Sequence, residues 1–142
     1  MKNGRRGQEM KTFAKQTTGQ SLVEFALVIP ILLLLLVGIM EFSRGWMARN
    51  ILTGAAREAA RVAAVDDTGG GEAAGEARGR AVLSSAGLIG GDVDVVFGGG
   101  AFGTVTATAS YDFPVSVAGF VPGWGSASII PLSSTTTMRR EY

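Results

Sequence analysis

The sequence predicts an α+β protein: a long N-terminal membrane-spanning helix, a second short helix, and a small antiparallel sheet of three or four strands. Three observations predict it. Residues 25–40 contain no charged side chain, an alanine-rich stretch with few helix breakers follows to Val65, and from about residue 92 the apolar period changes to two.

The membrane segment comes first. About 20 apolar residues cross a hydrocarbon core of roughly 30 Å. Leu22 to Met40 meets that requirement with Glu24 as its one charge, and Phe42, Trp46 and Met47 can extend it, Trp46 as an interfacial aromatic. A secretory signal peptide is the rival. Its apolar region would be shorter and would end at a small-x-small cleavage site, whereas this run ends in Gly38-Ile39-Met40-Glu41-Phe42. A retained helix is therefore expected. Pro30 lies within it, and membrane helices tolerate such a proline as a kink better than soluble ones do.

The helix is expected to continue out of the membrane to Val65, with Gly45 and Gly54 as soft spots. Ala55, Ala56, Ala59, Ala60, Ala63 and Ala64 form a small-residue face that permits close approach of another element, and Arg57, Glu58 and Arg61 read as a solvated face. Packing of this helix against the sheet would bury Ile51, Leu52 and Val62. Residues 66–71 end the helix as a linker. Glu72 to Ala86 reads as the second helix, weakened by Gly75 and Gly79, with Ala81, Val82 and Leu83 buried.

Val93, Val95 and Phe97 alternate with Asp92, Asp94 and Val96, a strand with one acidic face. Val105, Ala107, Ala109 and Tyr111 alternate with Thr104, Thr106, Thr108 and Ser110, a half-buried strand. A last strand region lies around Ala127 to Arg140, where Ser133 to Thr137 is rich in threonine. Phe113-Pro114, Phe120-Val121-Pro122-Gly123-Trp124 and Ile129-Ile130-Pro131-Leu132 read either as a loop folded over the sheet or as an exposed apolar patch for a neighbouring subunit. The domains expected are a basic leader (1–19), the transmembrane and extended helix (20–65), the linker (66–71) and a small α+β domain (72–142).

Composition narrows the chemistry. The 142 residues include no cysteine and no histidine, which removes the commonest nucleophilic thiol, general base and metal ligand. No paired carboxylates or nucleophile–base spacing stand in their place, so no enzyme, no cofactor and no metal site are expected. The Asp66 region lacks the alternating acidic ligands and closing glutamate of a calcium loop. Gly98-Gly99-Gly100-Ala101-Phe102-Gly103 matches a dinucleotide-binding pattern, but a strand is expected after it where the nucleotide site needs a helix, so it reads as a hairpin connection.

The net charge of +1 is a property of the leader. Lys2, Arg5, Arg6, Lys11 and Lys15 against Glu9 give residues 1–19 a charge of +4; the remaining eight arginines and eleven acids give −3. The body has no basic stripe interleaved with aromatics, so no nucleic acid is expected as a partner. Five Lys or Arg before the span against Arg44, Arg49 and Arg57 after it place the N-terminus in the cytoplasm and export the body.

Gly19-Gln20-Ser21-Leu22-Val23-Glu24-Phe25 opens the apolar run. Glu24 has three readings: an edge carboxylate reaching the headgroups near the positive end of the helix dipole, a buried functional carboxylate, or the partner of an α-amine freed by cleavage after Gly19. Gln20 and Glu24 share a helix face, so that amine would lie about 6 Å along the axis from the carboxylate. The residues alone favour the edge reading.

The string from Gly19 to Phe25, followed by a proline-containing leucine run, resembles the processing site of type IV-like pilins. With Ile39-Met40-Glu41-Phe42-Ser43-Arg44 and Ala55-Ala56-Arg57-Glu58-Ala59-Ala60-Arg61, it resembles the TadE-like proteins, minor pilins or pseudopilins of tight adherence (Tad) pili. The matching residues run from Gly19 to about Ala64; Ala59 stands where glycine is usual in the alanine-rich pattern. The resemblance implies cleavage by a prepilin peptidase at Gly19–Gln20, with Glu24 and Phe25 completing the site. It gives Glu24 a role in subunit register and Pro30 a secondary one in bending the subunit. It implies other pilins or pseudopilins, the inner-membrane platform of the Tad secretion system and the lipid bilayer as partners. The location implied is the bacterial cytoplasmic membrane, with incorporation into a surface pilus open, and the downstream biology is adhesion or secretion. The rival class is an uncleaved single-pass envelope protein whose exported domain binds a ligand or scaffolds a complex.

Overall fold

A computed structural model describes residues 4–66, 69–99, 103–116 and 129–140, with side chains from residue 19 onward. The element order is α1 (Gly4–Val65), α2 (Gly71–Ser85), β1 (Asp92–Phe97), β2 (Thr104–Pro114) and β3 (Ile129–Arg139). The α+β class and three antiparallel strands are as the sequence predicts. By contacts the chain divides into two units, Met1–Met40 and Glu41–Tyr142.

Among the described residues the first unit is helix alone. It begins at Gly4, so the leader joins the helix, and Pro30 sits inside it without ending it. From Leu22 to Met40 every large apolar side chain except Ile29 is exposed. A water-soluble helix buries such a face. Here the apolar surface has no protein cover, and among the described residues this is the one helix long and apolar enough to cross a membrane.

The second unit builds its core on small side chains. Leu52, Ala55, Ala56, Ala59, Ala60 and Ala63 of α1 are fully buried, clustered with Leu83, Val93, Val95, Val105, Ala107 and Ala109. The alternation expected in β1 and β2 is observed: Val93 and Val95, then Val105, Ala107 and Ala109, point inward. Hydroxyls line the outward face. Thr106 and Thr137 face each other in register with their oxygens 3.1 Å apart, and so do Thr108 and Thr135.

α2 departs from expectation in what it buries. Its inward residues are Gly71, Gly75, Gly79 and Leu83; Val82 is only half-buried and Ala81 is exposed. The glycines read as weak points form the contact stripe itself. A Cβ at Gly75 would stand 2.7 Å from the Ala59 carbonyl oxygen, and one at Gly79 would stand 2.9 Å from both Val93 methyls. The alanines of α1 and the glycines of α2 thus bring two backbones within a distance that no larger residue permits. α2 ends in a Schellman motif: Gly87, at φ +80°, donates to Ser84 O at 3.0 Å, and Leu88 N donates to Leu83 O at 3.0 Å.

β2 reaches further than expected, and β3 lies inside the strand region expected at 127–140, including the Ile129–Leu132 stretch that also reads as a loop or patch. Phe113-Pro114 closes β2, and Ile129-Ile130-Pro131-Leu132 opens β3, paired as Phe113 with Ile130 and Pro114 with Ile129. Prolines favour a loop reading, but β3 pairs with β2 alone, and an edge strand accommodates a proline that lacks an N–H. The glycine run after β1 leads into β2, as a hairpin requires, with Gly98 N donating to Thr104 O at 2.7 Å. Phe120 to Trp124 lies outside the described residues.

Candidate functional site: the N-terminal helix and its docking face

Gly19, Gln20, Glu24 and Phe25 lie on α1 and all are exposed. A Cβ on Gly19 would meet nothing within 4 Å, so packing does not require glycine there, although glycine weakens a helix by about 1 kcal/mol relative to alanine. Gly38 and Gly54 are equally open, so openness alone does not single out Gly19. The ion pairs among the described residues all lie beyond Met40, and none includes Glu24. Pro30 is exposed as well. The residues to which the resemblance gives processing and register roles are therefore displayed along one stretch of helix.

The alanine-rich motif divides its work between two faces. Ala55, Ala56, Ala59 and Ala60 enter the core, while Arg57 is exposed. Ala59, where the family pattern has glycine, faces α2, and its Cβ would lie 3.1 Å from a Cβ on Gly79. Glycine on the facing helix makes room for it.

Glu58 does more than belong to a solvated face. Its carboxylate accepts from Arg61 Nη2 at 2.8 Å and Nε at 3.1 Å, and from Arg78 Nε of α2 at 3.2 Å. The Arg61 hydrogen bonds first, then that from Arg78, lower its pKa from 4.5 to about 2. A carboxylate whose folded pKa lies below its unfolded one adds stability at pH values above the unfolded value, and that stability is lost as pH falls toward the folded one. The melting temperature of a Glu58→Gln variant should therefore fall below that of the parent at pH 7. The gap should close as pH drops from about 5 to about 2, read by circular dichroism.

A parallel network fastens α2 to β1. Arg80 Nε donates to Asp92 Oδ1 at 2.8 Å, and its Nη2 donates to Glu76 Oε2 and to Val93 O, both at 3.2 Å. Arg80 foremost, then the Val93 N–H, holds the Asp92 carboxyl below its ordinary range.

A cluster that sequence reasoning missed lies where the apolar run ends. Glu41 Oε1 accepts from the backbone N–H of Ser116 at 2.7 Å, just past β2. Arg44 Nη1 donates to Glu41 Oε2 and to Ser116 Oγ, each at 2.9 Å, and its guanidinium lies 5.3 Å from the centre of the buried Phe113 ring. The Glu41–Arg44 pair is visible in sequence as an i,i+3 spacing; Ser116 is too distant along the chain to be inferred. Among the described residues no cluster of three or more Asp or Glu could hold a metal ion.

A helix with an uncovered membrane-length apolar surface, followed by a small α+β unit built on its continuation, defines a protein with a membrane-anchor-like N-terminal helix. Residues 19–61 match the model of the family described as TadE-like protein, the family that the motifs resemble. That family is structural and pilin-like and is associated with Tad pili. The matched segment contains Gly19, Gln20, Glu24, Phe25, Pro30 and the whole alanine-rich motif. No curated protein and no solved structure matches the chain significantly.

Proposed function

We propose that the chain is a minor pilin or pseudopilin that takes part in assembly of a Tad-type pilus. A prepilin peptidase cuts after Gly19 at the cytoplasmic face of the membrane. The helix from Gln20 onward then anchors the subunit in the bilayer and serves as its assembly spine, with the α+β body exported. Glu24 sets register by pairing with the new terminal ammonium of a neighbouring subunit, because either charge left alone in an apolar bundle is expensive. Other pilins and the inner-membrane platform of the secretion system are the partners, and no catalysis is assigned to the chain.

One observation carries this reading. The family match begins at Gly19, where a dispensable helical glycine precedes an unpaired carboxylate and an uncovered apolar run. The intact mass of membrane-extracted protein, made with and without a prepilin peptidase, tests it. The expected result is a peptidase-dependent loss of residues 1–19, leaving Gln20 at the N-terminus. An unchanged mass with an active peptidase would leave the rival, an uncleaved anchored envelope protein.

A further inference from the structure

We propose that the outer edge of β3 docks a second copy of this chain, the two β3 strands pairing antiparallel about Thr135. The proposal concerns the C-terminal unit alone and does not depend on the pilin reading. Arg140 N donates to Gly103 O at 2.8 Å, which fixes the parity of β3. Even-numbered residues turn their backbone groups toward β2, and odd-numbered ones turn theirs away from it. Pro131 agrees, since its missing N–H then falls on the outer side. Ser133, Thr135 and Thr137 therefore present N–H and C=O groups to that edge, and among the described residues no strand pairs with it.

The opposite edge of the sheet is clasped. Gly98 N donates to Thr104 O, so the odd-numbered residues of β1 face away from β2. There Arg80 reaches round from α2: its Nη2 donates to Val93 O at 3.2 Å and its Nε to Asp92 Oδ1 at 2.8 Å, while the same Oδ1 accepts the Val93 N–H at 2.8 Å. An arginine and a carboxylate thus occupy the place that an added strand needs at Val93. On β3 the hydroxyls turn the other way. Thr135 and Thr137 bond to Thr108 and Thr106 of β2, and Ser134 bonds to Thr53 of α1.

Burial falls across the sheet toward the open edge. Val105, Ala107 and Ala109 of β2 are fully buried, whereas Leu132, Ser134, Thr136 and Met138 on the same side of β3 are half-buried and Ile130 is 49 % exposed. A strand added at the edge covers this row.

The sequence of β3 is complementary to itself in one register. Centred on Thr135, Ser133 stands opposite Thr137 of the copy, and the two exchange backbone hydrogen bonds in both directions. Leu132 falls opposite Met138 and Ser134 opposite Thr136, apolar with apolar and hydroxyl with hydroxyl. Arg139 and Arg140 fall opposite Pro131 and Ile130, so no like charges meet. The clasp on β1 disfavours addition of β3 to β1 of another copy, which would run on as an open fibre instead of closing as a pair.

The chain has no cysteine, so a single introduced one links only to its counterpart in purified protein. Full-length Thr135→Cys protein in detergent micelles, mildly oxidised and separated without reductant, tests the pairing. Opposed residues that exchange hydrogen bonds in an antiparallel pair stand about 5.5 Å apart at Cα, within disulfide reach. Asp94→Cys, on the outward face of β1, measures chance collision and dimers held by the apolar helix alone. The expected yield of linked dimer from Thr135→Cys is at least about five-fold that from Asp94→Cys at equal concentration. Adding Ser133→Pro should bring it down to the Asp94→Cys level with helical circular dichroism unchanged, because the Ser133 N–H points away from β2. Equal yields from Thr135→Cys and Asp94→Cys would overturn the proposal, as would a yield that Ser133→Pro leaves unaltered. Oxidation in the membranes of the producing cells that links Thr135→Cys to a different protein and never to itself would overturn the second copy as the occupant.

Discussion

Replacing Gly75 with alanine should destabilise the C-terminal unit by about 2 kcal/mol, whereas replacing Gly54 with alanine should stabilise it by about 1 kcal/mol. Helix propensity predicts the same gain at both positions, so the difference isolates packing. At Gly54 a Cβ meets nothing within 4 Å. At Gly75 it would stand 2.7 Å from a backbone oxygen of Ala59 and 3.0 Å from the Ala63 Cβ. A backbone oxygen cannot rotate aside as a side-chain tip can. The helices must separate, and separation loosens the contacts along the whole α1–α2 seam. Denaturant unfolding of the micelle-held protein, followed by helical circular dichroism, reads both variants. Equal gains at Gly54 and Gly75 would mean that the seam is not tight.

The second large effect is on assembly. Glu24→Ala should abolish incorporation into a Tad pilus, or the pilus itself, while leaving the protein folded and in the membrane. Glu24 is not among the residues of the core, so its removal leaves the core untouched. The register role predicts loss even when cleavage after Gly19 is complete, because the terminal ammonium would then have no partner. Glu24→Asp should restore assembly in part, since charge returns but reach shortens by a methylene. Surface-pilus yield and intact mass, measured on the same cells, separate failure of assembly from failure of processing. Normal pili from Glu24→Ala would reduce the carboxylate to a solvated helix end.

Much of the architecture was legible because it is periodic. Val105 to Tyr111 alternates with threonine and serine, and the strand lies there with valine and alanine inward. The stop at Val65 before Asp66 was also plain. What escaped was tertiary. Gly71, Gly75, Gly79 and Leu83 repeat every four residues, a contact-face signature, yet each glycine taken singly reads as a helix breaker. Arg78 meets Glu58 across two helices, and no i,i+4 rule reaches that far. Pro114 masked the end of β2, and Pro131 left Ile129 to Leu132 open to a loop reading within an expected strand region, because a proline is compatible with a strand only once an edge is known to be free. For Gly19 and Glu24 the motif was legible and the geometry adds their exposure. The roles proposed for them require partners beyond a single chain.

The alanine–glycine seam has a thermodynamic consequence. The largest fully buried side chains are Leu52, Leu83, Val93 and Val105, so much of the core is methyl groups and backbone. Such a core removes little apolar surface from water per residue, and the heat capacity of unfolding scales with that surface. The stability curve of this unit is therefore shallow. It changes little between cold and warm conditions and has no tall maximum to draw on, and the unit depends on the closeness of two backbones more than on the mass of its side chains.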